Sequence, residues 1–313
     1  MHIQATAYGK LILFGEHAVV YGQPAIAVPL TAVSARITVE NGPPGSGVQI
    51  VLAESDAPSR ILVDDQTLDN ALAYTAHLVL QHLEYSGAQP DLKLTLHSSI
   101  PIGAGFGSGA AVSTALARAL STALERPLDK AALNDIVYTV EELHHGTPSG
   151  IDNTVIVYEK PVFFQREEAL TTLSIPEPFT LIVAHAGHTT PTHITVGDVG
   201  RLFAAEPSRI GTIFEQIGTL SRTARRLIES GSTAALGPLM NENHRLLQAL
   251  TVSDEILDRL CEVAREAGAL GAKLSGGGRG GNLIALVEGN QEEMVRRALL
   301  VAGAARAFTS TVG

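Results

Sequence analysis

A single cysteine, Cys261, and no tryptophan occur in the 313 residues. One thiol can form no intrachain disulfide and no cysteine-rich zinc site, so an apolar core must carry the fold, and a reducing cytoplasm fits. Basic charge is also short: 22 Lys and Arg face 32 Asp and Glu, for a formal net charge of -10. Duplex nucleic acid is bound largely through clustered cations, so this balance argues against such a partner. No apolar run approaches the roughly 18 residues of a membrane span. Met1 to Lys10 lacks the basic stretch and apolar core of a signal peptide. A phosphorylated ligand would therefore be held by backbone amides and a few placed cations.

What is present reads as a folded chain, with 45% hydrophobic and 17% charged residues. The length allows two domains. Short β-branched or alternating segments predict strands at 10–14, 25–29, 32–40, 48–53, 61–63 and 92–97, with a helix at 69–83. Helices are expected at 107–124 and 129–144, and a strand pattern returns at 153–165. A Glu-, Thr- and Pro-rich loop then marks a boundary, giving domains 1–168 and 169–313. Beyond it the pattern predicts strands at 181–184, 272–275, 282–287 and 305–311, and helices at 192–204, 209–230, 233–250, 254–267 and 291–302. The fold class is α+β in two lobes.

The clearest chemical feature is Pro101-Ile-Gly-Ala-Gly-Phe-Gly-Ser-Gly-Ala-Ala111, between a predicted strand and a helix. Glycines at 103, 105, 107 and 109 leave N–H groups uncovered at a positive helix end, which makes an anion cradle. The loop also satisfies a loose dinucleotide pattern, but it follows hairpin-like strands rather than opening a parallel βαβ unit. The P-loop signature is absent, since Gly9-Lys10 is followed by Leu11.

Three further segments stand out. Lys10 opens an apolar strand whose end carries Gly15, Glu16 and His17; a strand-start lysine is either a solvated residue or a functional cation. Glu141 lies in the last turn of a helix, where the dipole disfavours a carboxylate and Mg²⁺ on nucleotide phosphates would offset it. Asp152 follows Pro148, Ser149 and Gly150 and precedes a predicted strand, either as a rigid acid at a cleft edge or in an ordinary Asx-turn. Lys273-Leu-Ser-Gly-Gly-Gly-Arg-Gly-Gly-Asn282 places five glycines in six residues between strands. Its expected role is close backbone packing, against the first glycine loop or a phosphate. His185, His188 and His193 offer nitrogen ligands of the kind zinc takes, but their spacing is not that of a helical face pair.

Together these segments resemble the GHMP small-molecule kinase family over nearly the whole chain. Gly9 to Gly22 is similar to an opening found within the family, Pro101 to Ala111 to its ATP-phosphate loop, His145 to Asn153 to its catalytic-aspartate loop, and Lys273 to Gly281 to its third motif. Asn241 to His244 and Gly268 to Lys273 match further family stretches. The resemblance implies an N-terminal domain similar to the second domain of ribosomal protein S5 and a C-terminal ferredoxin-like lobe, with the site between them. It implies transfer of the ATP γ-phosphoryl group to the primary hydroxyl of mevalonate. Alternatives are another acceptor of the family, such as phosphomevalonate or homoserine, and a non-catalytic metabolite sensor on the same fold. Asp152 would be the catalytic base and Lys10 the cation beside it, with Glu16, His17 and Thr192 near the substrate. Pro101, Gly103, Ala104, Gly105, Gly107, Ser108, Gly109 and Ala110 would bind ATP, and Gly276, Gly277 and Gly278 would form the third-motif loop. Glu141 and Ser108 would hold Mg²⁺, and a homodimer is implied. Two positions depart from the family pattern. Gly109 replaces a second serine that serves as a metal ligand, leaving the metal to Ser108, water or phosphate oxygens. Arg279 stands where glycine is commoner, facing either a phosphate or solvent.

Overall fold

The computed structural model describes residues 2–53, 60–63, 69–85, 87–101, 103–145, 148–166, 168–169 and 171–313. Ile102 of the first glycine loop, and Gly146 and Thr147 of the aspartate segment, lie outside the described residues. The chain forms two compact units that interleave in sequence: Met1–Gly9, Val33–Pro101 and Gly107–Glu159 in the first, Lys10–Ala32, Ile102–Phe106 and Lys160–Gly313 in the second. Strands β1 (His2–Phe14) and β2 (Ala25–Asn41), which pair with each other, are each divided between the units.

In the first unit β3 (Val48–Leu52) runs parallel to β5 (Leu92–Ser98), Val48 opposite Leu92. A parallel pair needs a long connection, and β4 (Arg60–Leu62) and α1 (Ala71–His82) lie within it. Asn70 fixes the start of α1 by accepting from the backbone N–H groups of Leu72 and Ala73. On the other side of β5 lies β2, antiparallel, with Ala35 opposite Ser98 and Asn41 opposite Leu92. Three more helices follow: α2 (Ser108–Ala123), α3 (Lys130–His145) and α4 (Ile151–Tyr158). Helix α2 touches α1, α3 and α4. Small buried residues such as Ala110, Ala111, Ser113 and Ala117 let its neighbours approach closely.

One element differs in kind from its sequence pattern. The segment 153–165, predicted as a strand, is α4 followed by the short strand β6 (Val162–Phe164). The β-branched run from Thr154 to Val157 has strand propensity, but packing of α4 against α2 and α3 overrides it. Gly150, at φ +87°, turns the chain into the helix, and Glu159, at φ +55°, ends it. Asn153 donates to Asn134 of α3 at 2.9 Å, and Arg118 of α2 donates to the terminal carbonyl of Val157 at 2.8 Å. The two strands expected at 25–29 and 32–40 are continuous as β2. Pro29 falls between the stretch paired to β6 and the stretch paired to β5, so its missing N–H interrupts neither ladder.

The second unit is built on a four-stranded antiparallel sheet: β8 (Phe179–His185), β9 (Gly271–Ser275), β10 (Asn282–Val287) and β11 (Arg306–Val312). Its order β11-β8-β10-β9 is the 4-1-3-2 arrangement of a ferredoxin-like βαββαβ unit. Helices α5 (Thr192–Ala205), α6 (Pro207–Glu229), α7 (Leu236–Ala249) and α8 (Glu255–Glu266) are inserted between its first and second strands, and α9 (Glu292–Val301) precedes the last. Ile182, Phe214, Leu247, Leu260, Leu274 and Leu299 belong to one buried core. The two-residue strand β7 (Thr171–Thr172) lies in the expected boundary loop and pairs with β6. The overall class is α+β with two sheets, as the sequence predicts.

Candidate active site

In the first unit the candidate residues gather at the start of α2 and near the end of α3. Gly107, at φ +72°, occupies the N-cap of α2 and offers no capping side chain, so the first N–H groups of that helix have no capping side chain from it. Ser108 and Gly109 form its first turn. The Glu141 carboxylate reaches this turn: a Cβ at Gly109 would stand 2.8 Å from Glu141 Oε1. Glu141 is 6% exposed. The dipole at the end of α3, unfavourable to this acid, is thus countered by the positive start of α2. Asp152 does not precede a strand; it is the second residue of α4, where the helix dipole favours its charge.

In the second unit the first glycine loop, the β1 turn and the third motif come together. Lys10 is inside β1, not at its start, and is 4% exposed. Its N–H donates to Phe106 at 3.0 Å, and the Asn282 amide donates to Ala104, so the stretch Gly103-Ala104-Gly105-Phe106 is held from two strands. Gly105, at φ +77°, lies beside the Asn282 side chain. After β1 the chain turns at Gly15, where a Cβ would stand 2.5 Å from the Ala25 backbone. It then places Glu16 and His17 side by side.

Glu16 forms an ion pair with Lys273 of β9, both side chains wholly buried. Burial pushes Glu16 up from the usual carboxylate range, against the pull of Lys273, and pushes Lys273 down against the pull of Glu16. Glu16 Oε2 has no hydrogen-bond partner among the described residues. His17 adopts φ +60°, a conformation that costs a non-glycine residue about 1 kcal/mol or more. Its ring lies 3.0 Å from the Gly277 carbonyl through Nε2. A carbonyl only accepts, so Nε2 carries the proton and Nδ1 presents a lone pair. That Nδ1 is buried and has no partner among the described residues. Thr192, the first residue of α5, adjoins the same glycine: a Cβ on Gly277 would stand 2.9 Å from Thr192 Oγ1.

The third motif packs chiefly against other loops of its own unit. Arg279 N donates to Val252 O and Gly281 N to His188 O, each at 2.7 Å. A Cβ at Gly278 would overlap the Val252 carbonyl, so that glycine is required for space as well as for its φ of +76°. The motif meets the first glycine loop at its end, where the Asn282 side chain reaches Ala104 and Gly105. Arg279 is half-buried, and its guanidinium pairs with Asp198 and donates to Thr251 O at 3.0 Å. That contact holds the Asp198 carboxyl below its ordinary range.

Sequence reasoning missed the partner of Lys273 and the role of His244. A lysine inside the apolar strand Gly271–Ser275 was the available signal for the first. His244, 3% exposed, accepts from Leu274 N through Nδ1 and donates to Asp258 through Nε2 at 3.1 Å. His188 bonds Asp254 at 3.0 Å, and His185 accepts from Gly187 N. Among the described residues no cluster of three His, Cys, Asp or Glu side chains forms a metal site.

Burial holds both His17 and His244 down to about 4, from an ordinary 6.5. The unfolded chain therefore takes up these protons first as pH falls. The stability that the neutral rings contribute is complete above pH 6.5 and is lost progressively as pH falls toward 4. Urea unfolding should lose about 2 kcal/mol per histidine between pH 7 and pH 5. His244→Asn should flatten that slope by its share; an unchanged slope would mean that His244 is not buried neutral.

Two domain families match this chain: the GHMP kinases N terminal domain at residues 71–160 and the GHMP kinases C terminal domain at 224–302. The chain belongs to the GHMP kinase family. Its similarity runs further, to individual members. It is 35% identical to mevalonate kinase of Pyrococcus abyssi over 319 residues, covering 96% of this chain and 93% of that protein. It is 35% identical to the Pyrococcus horikoshii mevalonate kinase with the same coverage. The structure of L. major mevalonate kinase in complex with R-mevalonate superposes with a TM-score of 0.85 at 28% identity, over 99% of this chain and 95% of that one.

Proposed function

We propose that this chain phosphorylates mevalonate: the primary alcohol oxygen attacks Pγ of ATP, the bond from Pγ to the β-bridging oxygen breaks, and 5-phosphomevalonate and ADP leave. The observation that carries this reading, beside the full-length similarity to mevalonate kinases, is the fixed turn at Glu16 and His17. It presents a neutral imidazole acceptor beside Gly277 and Thr192, a setting suited to hydroxyl groups. A phosphorylated acceptor is disfavoured because Lys273 is committed to Glu16, and Arg279 to Asp198 and Thr251.

Asp152 accepts the alcohol proton, and Lys10 supplies positive charge to the reacting oxygens. The backbone of Gly103 to Ala110 binds the phosphates, with the dipole of α2 behind them. Glu141 Oε1 lies beside the first turn of α2 at Gly109, and a carboxylate oxygen is the donor a hard divalent cation takes. Glu141 and Ser108 would hold Mg²⁺, which supplies charge neutralisation and orientation for the β- and γ-phosphates. A loose phosphoryl-transfer transition state asks chiefly for such positioning. In this reading the N-terminal domain, 1–168, carries the ATP-phosphate loop and the C-terminal domain, 169–313, carries the third motif. The enzyme works as a homodimer in the cytoplasm. Among the described residues no helix is long and apolar enough to cross a membrane.

The test is Mg²⁺-ATP-dependent ADP release with mevalonate, 5-phosphomevalonate, homoserine, galactose or no acceptor. Turnover on mevalonate alone is expected. Turnover on another acceptor would replace the substrate, and ATP binding with no turnover on any would favour a sensor.

A further inference from the structure

Helix α5 starts at Thr192, beside Gly277, and is thinly buried: Thr195 and Val199 are its buried residues. Its far end is held by Leu202 and Phe203, which pack on the core, and the Phe203 ring stands edge-on to Tyr21 at 5.1 Å. Its near end is gripped by Arg279 of the third motif. Arg279 O accepts from Thr190 Oγ1 at 2.9 Å, just ahead of the helix, and the guanidinium pairs with Asp198 in the second turn. Asp198 pairs with Arg201 as well. Arg279 is itself anchored, its N–H donating to Val252 O at 2.7 Å and its Nε to Thr251 O at 3.0 Å. It adopts φ +50°, a conformation that glycine takes freely and a bulky residue rarely. Glycine would satisfy the backbone there without strain, so what the arginine adds is its side chain and the tie to Asp198.

We propose that Arg279 is a positioning residue for the acceptor alcohol: through Asp198 it ties the third motif to the start of α5, and so keeps the Thr192 hydroxyl against Gly277, whose carbonyl holds the His17 ring. The inference rests on the mevalonate reading above and deepens it. Arg279 acts through Thr192 and not as a cation for the substrate, because its charge is taken up by Asp198. Its main-chain bonds to Thr190 and Val252 do not need the side chain, so glycine at this position would cut the tie and leave the loop's own anchors in place. Loss of the tie frees the first turns of α5, where few buried side chains would hold them.

The measurement is steady-state kinetics of the full chain, with mevalonate and ATP varied in turn, joined to hydrogen–deuterium exchange of α5. In Arg279→Gly the KM for mevalonate should rise about 3–10-fold, the worth of one hydrogen bond between neutral groups. The KM for ATP should stay parental, because the stretch Gly103 to Phe106 is held by Lys10 N–H and by Asn282. Amides in the first two turns of α5 should exchange faster than in the parent. Asp198→Ala, which removes the partner on the helix and leaves the third motif untouched, should act in the same way. Thr192→Val should raise the KM for mevalonate by itself, and adding Arg279→Gly to it should change little more, since the arginine works through that hydroxyl. A KM for mevalonate within about 2-fold of the parent's in Arg279→Gly or Asp198→Ala, or an effect that adds fully to that of Thr192→Val, would overturn the inference. Unchanged exchange in α5 would overturn it too. A parent chain that turns over another acceptor and not mevalonate would overturn the substrate reading instead, and the same variants compared on that acceptor would still decide the role of Arg279. With no turnover on any acceptor, the exchange of α5 decides it.

Discussion

Asp152→Asn is expected to lower kcat on mevalonate by about 10²–10⁴-fold, the usual contribution of a positioned general base. The amide keeps the shape of the side chain and loses the carboxylate oxygen proposed to accept the alcohol proton. ATP-analogue binding should stay within a few-fold, because the phosphates are assigned to the glycine loop and not to this acid. The fold should tolerate the change. Asp152 is half-buried in the first turn of α4, and losing a carboxylate there costs about 0.3–1 kcal/mol through the helix dipole. A large fall in turnover with a small fall in thermal stability thus separates chemistry from unfolding. Turnover near the parent's would remove Asp152 from the proton transfer, and an equal loss of nucleotide binding would reassign it to the phosphates.

Most of the elements were legible because their signals are local. Helices α6 to α8 and strands β8 to β11 announce themselves by periodicity and by turn residues, and the glycines of the first loop permit the left-handed conformations found at 103, 105 and 107. Helix α4 was illegible for a reason of equal clarity: Thr154 to Val157 carries strand propensity, and its helical state comes from α2 and α3, which no local window contains. The candidate site divides along the same line. Lys10, Glu16, His17 and Asp152 could be singled out by motif, but Lys273 lies 257 residues from Glu16 in sequence, and nothing local pairs them. Arg279 likewise has its partners, Asp198 and Thr251, outside any local window of the sequence. Gly109 was legible as a departure, while its neighbour, the Glu141 carboxylate, belongs to another helix.

Lys273→Met should be the most destabilising of these substitutions, by about 3–5 kcal/mol near pH 7, because it leaves the wholly buried Glu16 without its partner. The carboxyl, left with the weaker pull of Lys10, lessens the cost by taking a proton, and burial already pushes Glu16 in that direction. The variant's deficit should therefore depend on pH. With Glu16 raised above its unfolded value, the folded state binds the extra proton, so the deficit is smallest at low pH and grows as pH rises through the folded-state value. This slope is opposite in sign to the one expected from His17 and His244, and urea unfolding of parent and variant at matched pH would distinguish them. Glu16→Gln combined with Lys273→Met removes both charges and should recover most of the loss, since a buried ion pair replaced as a unit is often neutral or stabilising. Activity supplies the second half of the argument. Glu16 and His17 are consecutive, and the ion pair ties their turn to β9, while His17 itself bonds Gly277 two residues beyond that strand's end. The double variant, folded but lacking the tie, should therefore show a raised KM for mevalonate with a nearly unchanged KM for ATP. A folded double variant with both constants at parental values would show that the ion pair serves stability alone and that the bond to Gly277 is enough to hold His17.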